Sequence, residues 1–166
     1  GIAAALRARE LDPAARITVL LADDYPNFSI CGLPYFLSGE VPDWSQLAHR
    51  TDFPGIDIKR GHRARSINPH TKRIIIEQGG SERGLDYDRL IIATGAVPVR
   101  PDFPGNDLPG VHVLHSMADS FAVQDHLTAR PPGQVVVVGA GYIGLEMAEA
   151  FRRRGFDVTL ISRSIQ

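Results

Sequence analysis

The segment from Gln134 to Ile161 leaves this chain few folds to choose from. Gln134-Val135-Val136-Val137-Val138 is a short apolar, β-branched run and reads as a buried parallel strand. Gly139-Ala140-Gly141-Tyr142-Ile143-Gly144 follows at once, then a helical run from Leu145 to Arg154 and a second strand from Asp157 to Ile161. Strand, glycine-rich turn, helix and strand in this order form the pattern of a dinucleotide-binding unit. Gly139 permits the tight turn, Gly141 lets the backbone approach a pyrophosphate, and Gly144 lets helix and strand pack closely. The helix N-terminus then faces the phosphates with its unpaired N–H groups. Glycines in a loop are ordinarily only turns, and Val135 to Val138 also suits a core strand of one larger domain. The flanking elements in the right order favour the nucleotide.

The end of that second strand sets preference for the ribose. An acidic residue there accepts from a free 2′-hydroxyl, whereas a nearby Arg suits a 2′-phosphate. Ser162 and Arg163 stand at this place, without a carboxylate and with a cation close by. They point to NADPH, or to dual use, over strict NADH; the alternative is two ordinary loop residues.

The chain has one cysteine, Cys31, in Asn27-Phe28-Ser29-Ile30-Cys31-Gly32-Leu33-Pro34-Tyr35. Gly32 and Pro34 read as the start of a short helix, which would set the sulfur near a helix N-terminus, where a thiolate is favoured. A lone cysteine is otherwise a small buried hydrophobe. With no second cysteine, any disulfide made here joins another molecule or another subunit. Further on, Tyr87 to Pro98 runs an apolar strand into Ala93-Thr94-Gly95-Ala96, small residues that let a backbone approach a cofactor.

Together these features resemble the pyridine nucleotide–disulfide oxidoreductases, flavoproteins with two dinucleotide-binding domains. Within them the chain looks like the single-cysteine branch of coenzyme A-disulfide reductases, NADH oxidases and peroxidases, and persulfide reductases. The resemblance implies an α/β fold with two Rossmann-like domains, both incomplete in this chain. Residues 1–115 would belong to an FAD-binding domain and 116–166 to the start of an NAD(P)H-binding domain. Gly1 matches the last glycine of the turn that holds the FAD pyrophosphate, so a strand and the first glycines are expected before it. A dimerisation domain is expected after Gln166, making the parent a homodimer.

Several roles follow from the resemblance alone. Cys31 matches the redox-active cysteine beside the flavin, and Phe36 stands where two-cysteine relatives have their second. Tyr142 and Ile143 match residues near the nicotinamide path, and Glu146 a Glu beside it; Tyr142 also suits plain packing on the sheet. Asn27 replaces the Ser of the branch pattern Ser-Phe-x-x-Cys. Ile30 stands where coenzyme A-disulfide reductases place Asn, and Arg9-Glu10 where they offer paired basic residues. The acid expected on the FAD ribose falls on Leu21; Asp23, with Asp24 beside it, would substitute, unless both belong to a solvated turn.

The remaining expectations are coarser. A helix over 1–10 and a strand over 16–21 lead to the cysteine helix, which runs to Ser38. Short strands follow at 57–59, 63–67 and 73–77, with a hairpin turn at Gln78-Gly79-Gly80-Ser81. Val97 to Gly110, with four prolines and two glycines, suits a linker, and a helix from Ser116 to Ala129 follows. Net charge −1 gives no electrostatic reason to expect nucleic acid. No apolar run reaches the roughly 20 residues that span a bilayer, so no membrane is expected and a cytoplasmic origin is. The six histidines, at 49, 62, 70, 112, 115 and 126, lack ligand spacing, so no metal site is expected. The implied activity is electron flow from NAD(P)H through flavin to a small disulfide, persulfide or polysulfide at Cys31, or to peroxide or oxygen. A flavoprotein that reduces a protein partner, with Cys31 dispensable, and a non-catalytic nucleotide-binding piece are the alternatives.

Overall fold

Residues 1–48 and 50–163 are described by the structure, a computed structural model; His49 and the last three residues lie outside the described residues. The chain divides into two packing units that alternate along the sequence. One comprises 1–27 with 50–96, the other 28–49 with 97–166.

The first unit opens with α1 (Ile2–Leu11), rich in the strong helix formers Ala, Leu, Arg and Glu. It stops at Asp12, whose extended backbone and the following Pro13 cannot continue the ladder. The Arg9 side chain donates to the carbonyl of Gly55, tying the end of α1 to the start of the next strand pair. That pair is parallel: β1 (Ile17–Leu20) lies beside β2 (Ile56–Lys59), with Ile17 opposite Ile56. An antiparallel meander follows, β3 (Arg63–Asn68), β4 (Arg73–Gln78) and β5 (Ser81–Asp86). β4 alternates as a half-buried strand should, with Ile74 and Ile76 inward. β5, Ser-Glu-Arg-Gly-Leu-Asp, has little strand pattern of its own. It forms because the turn at Gly79-Gly80, with φ of 57° and 80°, folds it back on β4. His62 is a satisfied core histidine: Nδ1 pairs with the Arg60 carbonyl at 2.6 Å and Nε2 accepts from Arg83 at 2.9 Å.

One expected strand does not form. Leu90 to Ala93 have no regular structure, and Ile91 and Ile92 are 65% and 67% exposed. A strand exists only where a neighbour supplies its hydrogen bonds, and no described segment pairs with this one.

In the second unit the cysteine turn, Ile30–Gly32, leads into α2 (Leu33–Ser38), which ends at Gly39 with a left-handed backbone. Leu33, Phe36 and Leu37 bury α2. A turn over Trp44–Leu47 precedes the return to the first unit. After the proline-rich connection comes α3 (Met117–Thr128), started by a capping box: Asp119 N–H donates to Ser116 Oγ, and the Asp119 carboxylate accepts from Ser116 N–H. Phe121 of α3 meets the Phe36 and Trp44 rings edge to face, each at 6.1 Å between centroids. β6 (Gln134–Val138), α4 (Tyr142–Arg153) and β7 (Asp157–Ile161) complete the unit, β6 and β7 pairing in parallel. Thus the βαβ unit forms as expected, with α4 starting three residues before Leu145. Just past α4, the Arg154 guanidinium donates to the Leu37 carbonyl at 3.1 Å and to Gln124 Oε1 at 2.6 Å. Arg153 pairs with Glu40 at 2.8 Å. The end of α4 is thereby fastened to both α2 and α3.

The connection carries the clearest pH sensitivity. His112 stacks edge to face on His126, 5.3 Å between centroids. Partial desolvation, then His126 and Arg100, hold its pKa below the ordinary 6.5, against a smaller opposing pull from Asp119. The unfolded chain therefore takes up this proton more readily than the folded one. The contribution of neutral His112 to stability is full above 6.5 and is lost as pH falls below it. Because His112 stays largely exposed, the effect is small. His112→Gln is expected to flatten part of the fall in the urea-unfolding midpoint between about pH 7 and about pH 5.

Candidate nucleotide and thiol sites

The Gly139–Gly144 turn is shaped by sterics at two of its glycines. Gly139, at φ 113°, has a backbone that L side chains rarely adopt, and its N–H donates to the Ile161 carbonyl at 2.8 Å. At Gly144 a Cβ would collide with the Gly139 carbonyl oxygen, so the first turn of α4 can sit on the strand end only without one. Gly141 differs. It is the N-cap of α4 without a side-chain cap, and a Cβ there would meet no protein atom within 4 Å. The helix ladder begins with Leu145 N–H donating to the Gly141 carbonyl, which leaves the N–H groups of Tyr142, Ile143 and Gly144 at the helix head. Open space over bare backbone donors is what a pyrophosphate needs, so the residues present fit a dinucleotide. Ala140 is half-buried in the turn, while Tyr142 (89% exposed) and Ile143 stand open beside it. Glu146 lies one turn into α4, half-buried, and Ser162 and Arg163 directly follow β7, both exposed.

The first unit contains a second helix head of the same kind. Gly1 is the N-cap of α1 without a side-chain cap, and a Cβ on it would stand 3.5 Å from Ala93 Cβ. The structure thus brings Gly1 and Ala93, the first residue of the Ala93-Thr94-Gly95-Ala96 segment, together although that segment forms no strand. This pairing of small residues at a helix N-terminus fits a dinucleotide. Asp23 lies just beyond the carboxyl end of β1, exposed; Oδ1 accepts from Tyr25 N–H at 3.0 Å, and its carbonyl accepts from Gly61 N–H at 3.1 Å. Asn27 takes a left-handed backbone, φ 59°, and its Nδ2 reaches the Arg50 carbonyl at 3.5 Å.

Cys31 belongs to the second unit and is exposed on the turn before α2. It is not a buried hydrophobe. Two features of its surroundings had no sequence signature. Arg154 looks like any basic residue at a helix end, and its bond to the α2 carbonyl depends on tertiary packing. Leu47 lies against Gly32, a contact between residues far apart in sequence. Among the described residues, no three His, Cys, Asp or Glu side chains gather to hold a metal, and no helix is long and apolar enough to cross a membrane.

The Gly1 and Gly141 helix heads each present bare backbone donors that fit a dinucleotide, and Cys31 is an exposed thiol. Residues 1–165 match the profile of the family described as pyridine nucleotide-disulphide oxidoreductase, and the chain belongs to that family. It is 36% identical to the CoA-dependent NAD(P)H sulfur oxidoreductase of Pyrococcus furiosus, over 99% of this chain and 38% of the relative. Among solved structures, it is 36% identical to an NAD-dependent persulfide reductase from A. fulgidus, with TM-score 0.90 over 96% of this chain and 31% of that one. An engineered water-forming NADPH oxidase, made from the Lactobacillus brevis NADH oxidase, gives 30% identity and TM-score 0.85 over 96% of this chain and 37% of its own. The chain therefore spans less than two-fifths of the length of these proteins.

Gly144→Ala is expected to destabilise the second unit by about 1–3 kcal/mol or more, since neither backbone in the collision can yield cheaply. The check is a lowered urea midpoint.

Proposed function

We propose that this chain carries the cofactor-binding and thiol part of an FAD-dependent NAD(P)H oxidoreductase that reduces a sulfur species at Cys31. The observation that carries the reading is the open backbone at Gly141, where a Cβ would meet nothing although the neighbouring Gly144 has no room for one. Protein packing accounts for Gly144; a bound pyrophosphate accounts for Gly141. In this reading Gly139, Ala140, Gly141 and Gly144, with the head of α4, hold the NAD(P)H pyrophosphate. Tyr142, Ile143 and Glu146 line the nicotinamide path. Gly1 and Ala93 to Ala96 hold the FAD pyrophosphate, Asp23 takes its ribose, and Asn27 shapes the approach to the thiol segment. Residues 1–115 then form the FAD-binding part and 116–166 the start of the NAD(P)H-binding part.

Ser162 and Arg163 favour NADPH. A carboxylate is absent and a guanidinium stands ready for a 2′-phosphate. The engineered NADPH oxidase carries substitutions of the same sense: they remove one aspartate and introduce two arginines.

FAD, held by Gly1 and Ala93 to Ala96, would supply the two-electron chemistry that links NAD(P)H to an oxidised Cys31 sulfur. Cys31 does the substrate's part. Its thiolate attacks one sulfur of a low-molecular-weight disulfide, the S–S bond breaks, and a thiol leaves with the electron pair and a proton. A persulfide or polysulfide reacts in the same way, leaving the outer sulfur on Cys31. With peroxide, the Cys31 thiolate attacks one oxygen, the O–O bond breaks, the other oxygen leaves as water or an alcohol after taking a proton, and Cys31 becomes a sulfenic acid. A cytoplasmic, homodimeric parent completes the proposal.

The test is the visible absorption of the purified protein before and after NADPH. A flavin spectrum that bleaches supports the reading. Cys31→Ser is then expected to keep the bleaching and to abolish turnover of a small disulfide or polysulfide. Turnover that survives Cys31→Ser transfers the role to a protein electron acceptor. A colourless protein leaves the 166 residues a non-catalytic nucleotide-binding piece.

A further inference from the structure

We propose that Leu47 is a positioning residue for Cys31, acting through the bare face of Gly32; this rests on Cys31 being the reacting thiol. Ile30–Gly32 form one turn of a three-residue-per-turn helix, so successive side chains leave it about 120° apart. Ile30 and Cys31 are exposed, which makes Gly32 the inward-facing member. A Cβ built on Gly32 would stand 2.7 Å from Leu47 Cδ2 and 3.4 Å from Ser29 Cβ. Gly32 has ordinary helical angles, φ −82° and ψ −15°, which any residue adopts. Contact with the Leu47 side chain, not backbone conformation, is what disfavours a side chain here.

The contact is closed from both sides. Ser29 N–H donates to the Leu47 carbonyl at 2.8 Å, and Gly32 N–H donates to the Ser29 carbonyl at 3.0 Å. Phe28 and Ala48 add a single antiparallel bridge. Leu47 is itself buried at the end of a turn capped by Asp43, whose Oδ1 accepts from Ser45 N–H at 2.9 Å. Beyond the cysteine, Leu33 and Leu37 anchor α2. The cysteine turn therefore rests on Leu47 at its one inward position, and that rest sets the direction of Cys31 Sγ. A side chain at residue 32 has either to displace the end of the buried Leu47 side chain or to lift the turn away from it, and lifting the turn changes the direction of Cys31 Sγ.

The experiment measures the second-order rate of Cys31 with dithiobis(nitrobenzoate) at fixed pH on the 166-residue chain, with the urea midpoint recorded in parallel. Gly32→Ala is expected to slow the folded-state reaction by about fivefold or more. Adding Leu47→Val removes the obstructing Cδ2 and is expected to restore the rate to within about twofold. A role in stability alone would lower the urea midpoint and leave the folded-state rate unchanged, which overturns the proposal, as does a double variant that stays slow. Should Gly32→Ala not fold, Leu47→Val alone decides: a changed rate supports the positioning role and an unchanged rate overturns it. The assay uses neither flavin nor nicotinamide, so its failure is distinct from failure of the oxidoreductase reading, which the absorption spectrum reports.

Discussion

Backbone donors at helix heads must find acceptors, and this chain meets that demand in two opposite ways. α3 caps itself: Ser116 and Asp119 satisfy each other's N–H groups. α1 and α4 begin at Gly1 and Gly141 with no side chain to close them. A glycine cap gives up only about a few tenths of a kcal/mol against a Ser or Asp cap, and leaves the positive end of the helix dipole bare. α2 also begins at a glycine, Gly32, with no side-chain cap, so glycine heads occur in this fold both at the two glycine positions of the nucleotide motifs and at the cysteine turn.

Local signals explain what was legible in the sequence. The β6–α4–β7 unit was readable because period, glycine spacing and element order all lie within one stretch, Gln134 to Ile161. α3 was readable as the helix that follows the proline-rich run. The segment ending in Ala93-Thr94 misled, because its composition is that of a strand while strand pairing is decided by a neighbour. β5 shows the converse: poor composition, but a partner delivered by a tight turn. The candidate site follows the same rule. The glycines were legible, whereas the Arg154–Leu37 bond and the Gly32–Leu47 contact arise only when distant segments meet.

Cys31 is an exposed thiol whose turn is held by its neighbours: the Leu47 carbonyl accepts from Ser29 N–H, and the Leu47 side chain lies against Gly32. The buried face of α2, with Leu37 fully enclosed, gives that turn a firm base.

The alternation of the two packing units has a further consequence. The polypeptide leaves the first unit after Asn27, returns at Arg50 and leaves again after Ala96. Each unit is therefore assembled from separated stretches, and each must close long loops before its contacts form, which slows folding. It also limits how the protein is dissected. A cut at residue 115, natural from the order of the nucleotide motifs, would take α4 from the helix whose Leu37 carbonyl receives Arg154. The piece retained would keep its glycine signature and lose part of its own core.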